Sequence, residues 1–246
     1  MLIPGVVTGA LRQLPVQTII ELAGRAGLRA LTVSADPHLA AGQLSDASRI
    51  GVWCANAGLQ LESYATGCPL LTDELLETAA ALGAPTVRVL AGDQSSETAG
   101  LTERWQAIDA LHRCAVQAAE YDLAVAVEFQ PGTLADSAGS TLRLLAEVDH
   151  PNLIPYWQAP PLPELAPCQW DLRMLLPALR GIQVYSLGFA GFRDRRSLAH
   201  RADLWPVLLA QLAADGHDRF AMLAYLLDDS EESLTQDTTT LLRWLG

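Results

Sequence analysis

A chain of 246 residues, half of them apolar, has enough apolar side chains to bury one large core. A chain of about 250 residues is the ordinary size of an α/β barrel folded as a single domain. The net charge of −12 excludes nucleic acid as an expected partner, since that binding rests on clustered Lys and Arg. All sixteen basic residues are Arg, and the missing Lys amine excludes Schiff-base and pyridoxal-phosphate chemistry and a Walker-type phosphate loop.

Strand-like apolar runs alternate along the chain with helical patterns of three-and-four spacing. In chain order the strands fall at Ile3–Val7, Ala30–Ser34, Leu59–Tyr64, Thr86–Leu90, Ala124–Phe129, Leu153–Trp157, Gly181–Leu187 and Phe220–Leu226. The helices between and after them fall at Val16–Ala26, Ala47–Ala57, Asp73–Leu82, Arg104–Ala119, Thr141–Val148, Asp171–Leu179, Leu204–Ala214 and Glu232–Leu245. Glycines at Gly27, Gly58, Gly83 and Gly216 punctuate the helix ends. Pro160–Pro167 reads as a stiff loop inside the domain. Eight βα units of about 30 residues predict a single-domain (β/α)₈ TIM barrel over residues 1–246. An open doubly wound sheet fits less well, because Gly5-x-x-x-Gly9 is not a dinucleotide fingerprint.

No apolar run approaches the roughly 18 residues of a membrane span. Met1–Gly5 shows no basic n-region and no cleavage pattern, so the expected location is the cytoplasm. Cys54, Cys68, Cys114 and Cys168 are far apart and read as reduced, structural thiols. A homodimer is compatible with so acidic and apolar a chain.

In such a barrel the chemistry gathers at the carboxyl ends of the strands. The polar residues there are Asp36, His38, Tyr64, Asp93, Glu128, Gln158, Tyr185 and Asp228. The cluster Arg193, Arg195 and Arg196 either holds a substrate phosphate or is a solvated loop, and the second reading is favoured. Trp157 either stacks on a sugar ring or packs in the core.

Several segments share the order of patterns in one family. They are Asp36-Pro37-His38 through Gly42, Ser63-Tyr64, Val87-Arg88-Val89 with Ala91-Gly92, Val127-Glu128-Phe129 with Thr133-Leu134 and Asp136, Tyr156-Trp157-Gln158-Ala159-Pro160, and Asp228-Asp229-Ser230 through Asp237 and Leu241-Leu242. On these residues, over nearly its whole length, the chain resembles the xylose isomerase-like TIM-barrel superfamily, in its sugar-phosphate isomerase and epimerase branch. The resemblance implies a sugar or sugar-phosphate ligand and a divalent ion (Mn, Mg, Co or Zn) on four ligands: a Glu, an Asp, Asn or Gln, a His, and a second Glu. Carried over by position, the metal residues are Glu128 and Gln158. The His position holds Tyr185 and the second Glu position holds Ala224; the family's further His is Gln130 here. Ala224 supplies no donor atom, and a neutral Tyr is a poor ligand because its pKa near 10 must fall first. The expected site is therefore a weakened or absent metal centre.

The resemblance makes Glu128 the expected base, with His38, Tyr64, Arg88, Trp157 and Tyr185 as expected substrate contacts. Structural readings stand beside these: a buried Glu128–Arg88 pair, a Gln158 that satisfies loop backbone, and a packed Tyr185. Three functions follow: an isomerase or epimerase, a degenerate barrel that binds a sugar-like ligand or a partner without turnover, and a relative of the endonuclease branch. The last is least favoured, since that branch needs many His, Asp and Glu ligands and the chain has five His.

Overall fold

The computed structural model describes all of residues 1–246. Eight parallel strands close into a barrel, and a short antiparallel hairpin stands apart from it. The strands are β1 (Leu2–Val7), β2 (Ala30–Ser34), β3 (Gln60–Ala65), β4 (Thr86–Val89), β5 (Ala124–Glu128), β6 (Leu153–Gln158), β7 (Gly181–Val184), β8 (Ser186–Gly188), β9 (Gly191–Arg196) and β10 (Arg219–Leu223). Around the barrel the order is β1-β10-β7-β6-β5-β4-β3-β2, and β8 pairs with β9 as the hairpin. The fold is the expected (β/α)₈ TIM barrel. No helix is long and apolar enough to cross a membrane.

The helices are α1 (Val16–Arg25), α2 (Ala35–His38), α3 (Leu44–Asn56), α4 (Asp73–Leu82), α5 (Leu101–Ala119), α6 (Ala138–Val148), α7 (Leu165–Leu175), α8 (Trp205–Ala213) and α9 (Glu231–Leu245). Local chemistry sets their ends. Thr72 caps α4 by accepting from the Leu75 N–H, and Gly83 closes it at φ 79°, a conformation that costs glycine nothing. Ser137 and Ser140 form a reciprocal capping box, which starts α6 at Ala138, three residues before the position expected from periodicity.

Period two along each strand separates two cores. In β5, Val125 and Val127 face outward into a cluster of 59 buried residues between barrel and helices, whereas Ala124 and Ala126 face inward beside Ile154 and Tyr156. A second inner group contains Ile3, Val7, Ala30, Tyr185, Leu187, Met222 and Ala224. Gly5 is needed at the crowded inner wall, since a Cβ there would lie 2.5 Å from Met222 Sδ and 2.6 Å from the Ala30 carbonyl oxygen.

Other expected boundaries change as well. The run Gly181–Leu187 is split: β7 stops at Val184, and Ser186–Gly188 leaves the barrel to pair with β9. The last barrel strand stops at Leu223 rather than Leu226, because Tyr225 adopts φ 48°. Helix α7 starts at Leu165, not Asp171, and so includes Pro167, whose missing N–H is unneeded in a first turn.

One buried acid makes the fold pH-sensitive. Asp237 of α9 is 4% exposed and accepts from the Leu198 N–H at 2.8 Å. Burial pushes its pKa up to about 6. A folded pKa above the unfolded value gives stability that is complete below about 4 and lost as pH rises through about 6. Asp237→Asn keeps the acceptor without the charge and is expected to stabilise the protein by about 1–3 kcal/mol at pH 8 and by less at pH 5. Urea melts of both proteins at the two pH values check this; a gain independent of pH would contradict it.

Candidate active site

The carboxyl ends of the strands surround a mouth of about 440 Å³. Its floor includes Val7, Ala65, Glu128 and Gln183, which come from the alternating strands β1, β3, β5 and β7, as residues of one inner layer do in such barrels. Ser34, Arg88 and Ala224 join them from β2, β4 and the end of β10, and Arg12, Asp36, Thr66 and Tyr225 form the rim.

Arg88 and Glu128 are the charged centre. Arg88 is 2% exposed and directs both Nε, at 3.1 Å, and Nη2, at 2.8 Å, to the same Glu128 oxygen, Oε1. Glu128 Oε2 therefore has no protein partner and belongs to a carboxylate that lines the mouth. The Arg88 guanidinium also lies 4.1 Å from the centre of the Tyr156 ring. Burial opposes the charge on Arg88, but Glu128, Tyr156 and Glu62 together hold its pKa above the ordinary value. Glu62 is 4% exposed and accepts from Thr32 Oγ1 at 2.6 Å and Ser63 Oγ at 2.5 Å. Two inner carboxylates thus share the field of one guanidinium.

The expected site residues divide into two sets. Glu128 and Arg88 line the mouth. Gln158 is fully buried beside Gln183 in register; its Nε2 reaches Gln130 Oε1 at 3.4 Å and its Oε1 has no partner. Tyr185 is inside the barrel, but its hydroxyl is spent on the Ala159 carbonyl at 2.5 Å, and burial raises its pKa well above the ordinary value. It acts as a wall, with Tyr225 and Phe192 at ring-centre distances of 5.0 and 6.3 Å.

His38, Tyr64 and Trp157 do not line the mouth, which corrects their expected place as substrate contacts. His38 Nε2 meets the Leu14 carbonyl at 3.1 Å, and burial lowers its pKa. Tyr64 is wholly buried in the outer core and donates to the Leu39 carbonyl at 2.7 Å. Trp157 lies between inward Tyr156 and Gln158 on its strand, so it faces outward and packs on Phe129 and Trp205. The arginine cluster is largely paired: Arg195 with Asp229 and the Leu226 carbonyl, Arg196 with Asp194.

Gln183, Glu62 and Tyr225 were not among the expected site residues. Gln183 has a sequence signal, being two positions before Tyr185 and hence on the same face. Tyr225 has none. Adjacent to inward Ala224, it would point outward in a regular strand, and its positive φ turns it to the mouth instead. Burial, with Glu128 nearby, raises its pKa to about 12, so the phenol keeps its proton at neutral pH. No three His, Cys, Asp or Glu side chains anywhere in the chain stand close enough to hold a metal ion.

No family model matches the chain. A stretch of 67 residues is 37% identical to 3-dehydroshikimate dehydratase from Bacillus anthracis, which covers 27% of this chain and 24% of that protein. Among solved structures, the probable 3-DHS dehydratase involved in petrobactin synthesis from Bacillus anthracis superposes with a TM-score of 0.80 at 19% identity, over 98% of this chain and 99% of that one. A xylose isomerase domain protein from Planctomyces limnophilus gives 0.76 at 17% identity, over 99% and 96% of the two chains. D-Psicose 3-epimerase from Clostridium cellulolyticum H10 gives 0.72 at 12% identity, over 98% and 97%. The chain shares the (β/α)₈ TIM-barrel fold of these structures.

Proposed function

We propose that this chain acts on a small polyhydroxylated carbonyl compound, with Glu128 as the base that removes a proton from the carbon next to the carbonyl. The observation that carries this reading is the one-sided Arg88–Glu128 pair: Oε1 takes both guanidinium bonds, and Oε2 is left at the mouth to accept a proton. Epimerisation, aldose–ketose isomerisation and β-elimination of water from a hydroxyketone share this first step. The structural likeness to epimerases and to a 3-dehydroshikimate dehydratase is consistent with it.

The residues present do not suit a resident divalent ion. Glu128 is already engaged by Arg88, the Tyr185 hydroxyl is bound to Ala159, and Ala224 offers a methyl group. The reading is therefore of a step that needs no metal. The paired state of Arg195 and Arg196 favours an unphosphorylated compound. Millimolar Mn²⁺ is expected to leave the melting temperature unchanged, whereas a rise of several degrees would overturn the metal-free reading.

Proton NMR in D₂O tests the function. The protein, without added metal, is expected to catalyse loss of the signal next to the carbonyl of at least one of 3-dehydroshikimate, D-psicose, D-tagatose and D-fructose. A second reading, binding without turnover, is favoured by Ala224, which leaves the mouth without a second carboxylate at that position. No exchange with any of these compounds, with or without Mn²⁺, would decide for it.

A further inference from the structure

Removing a proton next to a carbonyl moves the C–H electron pair into a new C=C bond and the carbonyl π pair onto oxygen. That oxygen gains a full negative charge, which must be held by something. The donors lining the mouth can be counted one by one. Arg12 is paired with Asp36 at 2.7 Å. Thr66 donates to the Arg88 carbonyl at 2.8 Å. Ser34 Oγ accepts from the Gly9 N–H at 3.1 Å while its own O–H meets no protein acceptor, and Arg88 commits Nε and Nη2 to Glu128 while its buried Nη1 has no partner. The carboxamide of Gln183 and the hydroxyl of Tyr225 also line the mouth and make no hydrogen bond to the protein.

We infer that the Tyr225 hydroxyl and the Gln183 carboxamide form the oxyanion-binding pair of this site. The inference rests on the proton-abstraction reading given above. Gln183 is 3% exposed and stands in the same inner layer as Glu128. Tyr225 is aimed by a left-handed backbone, φ 48°, that costs a non-glycine residue on the order of 1–2 kcal/mol. The surroundings hold it there. Its ring packs on Tyr185 at 5.0 Å and Phe192 at 4.8 Å, and Arg195 of the hairpin ties down the following loop through the Leu226 carbonyl and Asp229. In the reaction, Glu128 Oε2 takes the carbon-bound proton while Tyr225 and Gln183 donate hydrogen bonds to the oxygen and keep their own protons. Return of the proton from Glu128 to carbon closes the cycle.

Ascorbate, a stable enediolate monoanion, is the probe, in anaerobic isothermal titration. Wild-type protein is expected to bind it. Tyr225→Phe, which keeps the ring contacts, and Gln183→Met, which keeps the volume, are each expected to weaken binding at least tenfold with the melting temperature nearly unchanged. Absence of binding to the wild type, or equal binding by wild type and Tyr225→Phe, would overturn the inference. The NMR assay separates its failure from failure of the proposed function. Proton exchange with ascorbate binding indifferent to Tyr225 would keep Glu128 as base and discard the pair. Tyr225-dependent ascorbate binding without exchange would keep the pair and discard turnover.

Discussion

Arg88→Leu is expected to destabilise the protein by about 3–5 kcal/mol at pH 8, the usual cost of leaving one half of a buried ion pair without its partner. The guanidinium is 2% exposed, and its removal strands Glu128 and takes from Glu62 the positive field it shares. It also removes the cation–π contact with Tyr156. The loss depends on pH. Without Arg88, the Glu128 carboxylate is left buried with no counter-charge, a penalty that is present only while the carboxyl is charged. The variant should therefore recover stability as pH falls and lose it as pH rises. Urea denaturation at pH 5 and pH 8 measures this. A second variant separates charge from packing. Arg88→Leu with Glu128→Leu removes both partners and is expected to be more stable than Arg88→Leu alone, because an apolar pair leaves no unpaired charge. A loss below about 1 kcal/mol for Arg88→Leu, equal at both pH values, would show that the pair is too well hydrated to count as buried.

The alternation of strands and helices was legible because it is written in local periodicity. Every barrel strand from Leu2–Val7 to Arg219–Leu223 falls within a few residues of its expected place. The placement of Glu128 at the barrel mouth was legible for the same reason: Ala124, Ala126 and Glu128 share one face, and Glu128 stands at the strand's carboxyl end. Reading strand ends without that parity misplaced Tyr64 and Trp157, which belong to the outward face and the main core. Glu62 was hidden by a register shift between Leu31 and Thr32, which depends on how two strands pair rather than on either strand alone. Tyr225 was hidden by a single backbone angle, and no sequence pattern for a tyrosine announces a positive φ. The break at Tyr185 was masked because no Gly or Pro interrupts Ile182–Leu187, although Gly188 and Gly191 mark the hairpin that follows.

Glu128→Gln is expected to lower the rate of proton exchange by 10²–10⁴-fold, the usual contribution of a positioned general base. The substitution is nearly isosteric. Its carbonyl oxygen still accepts from Arg88, and Glu62 still provides a carboxylate for the guanidinium to answer. The fold should therefore survive, with a change in melting temperature of a few degrees. A neutral hydroxyketone loses no bond in the ground state, so KM should stay within a few-fold of wild type while kcat falls. That split marks an interaction made in the transition state. Glu128→Asp sharpens the test. Shortening the side chain by one methylene pulls the carboxylate away from both Arg88 and the mouth, so a base that depends on its anchored position should lose most of its rate despite keeping its charge. Exchange within tenfold of wild type in Glu128→Gln would remove Glu128 as the base. Glu62 would then be the inner carboxylate to test next, since it is the other one in the field of Arg88.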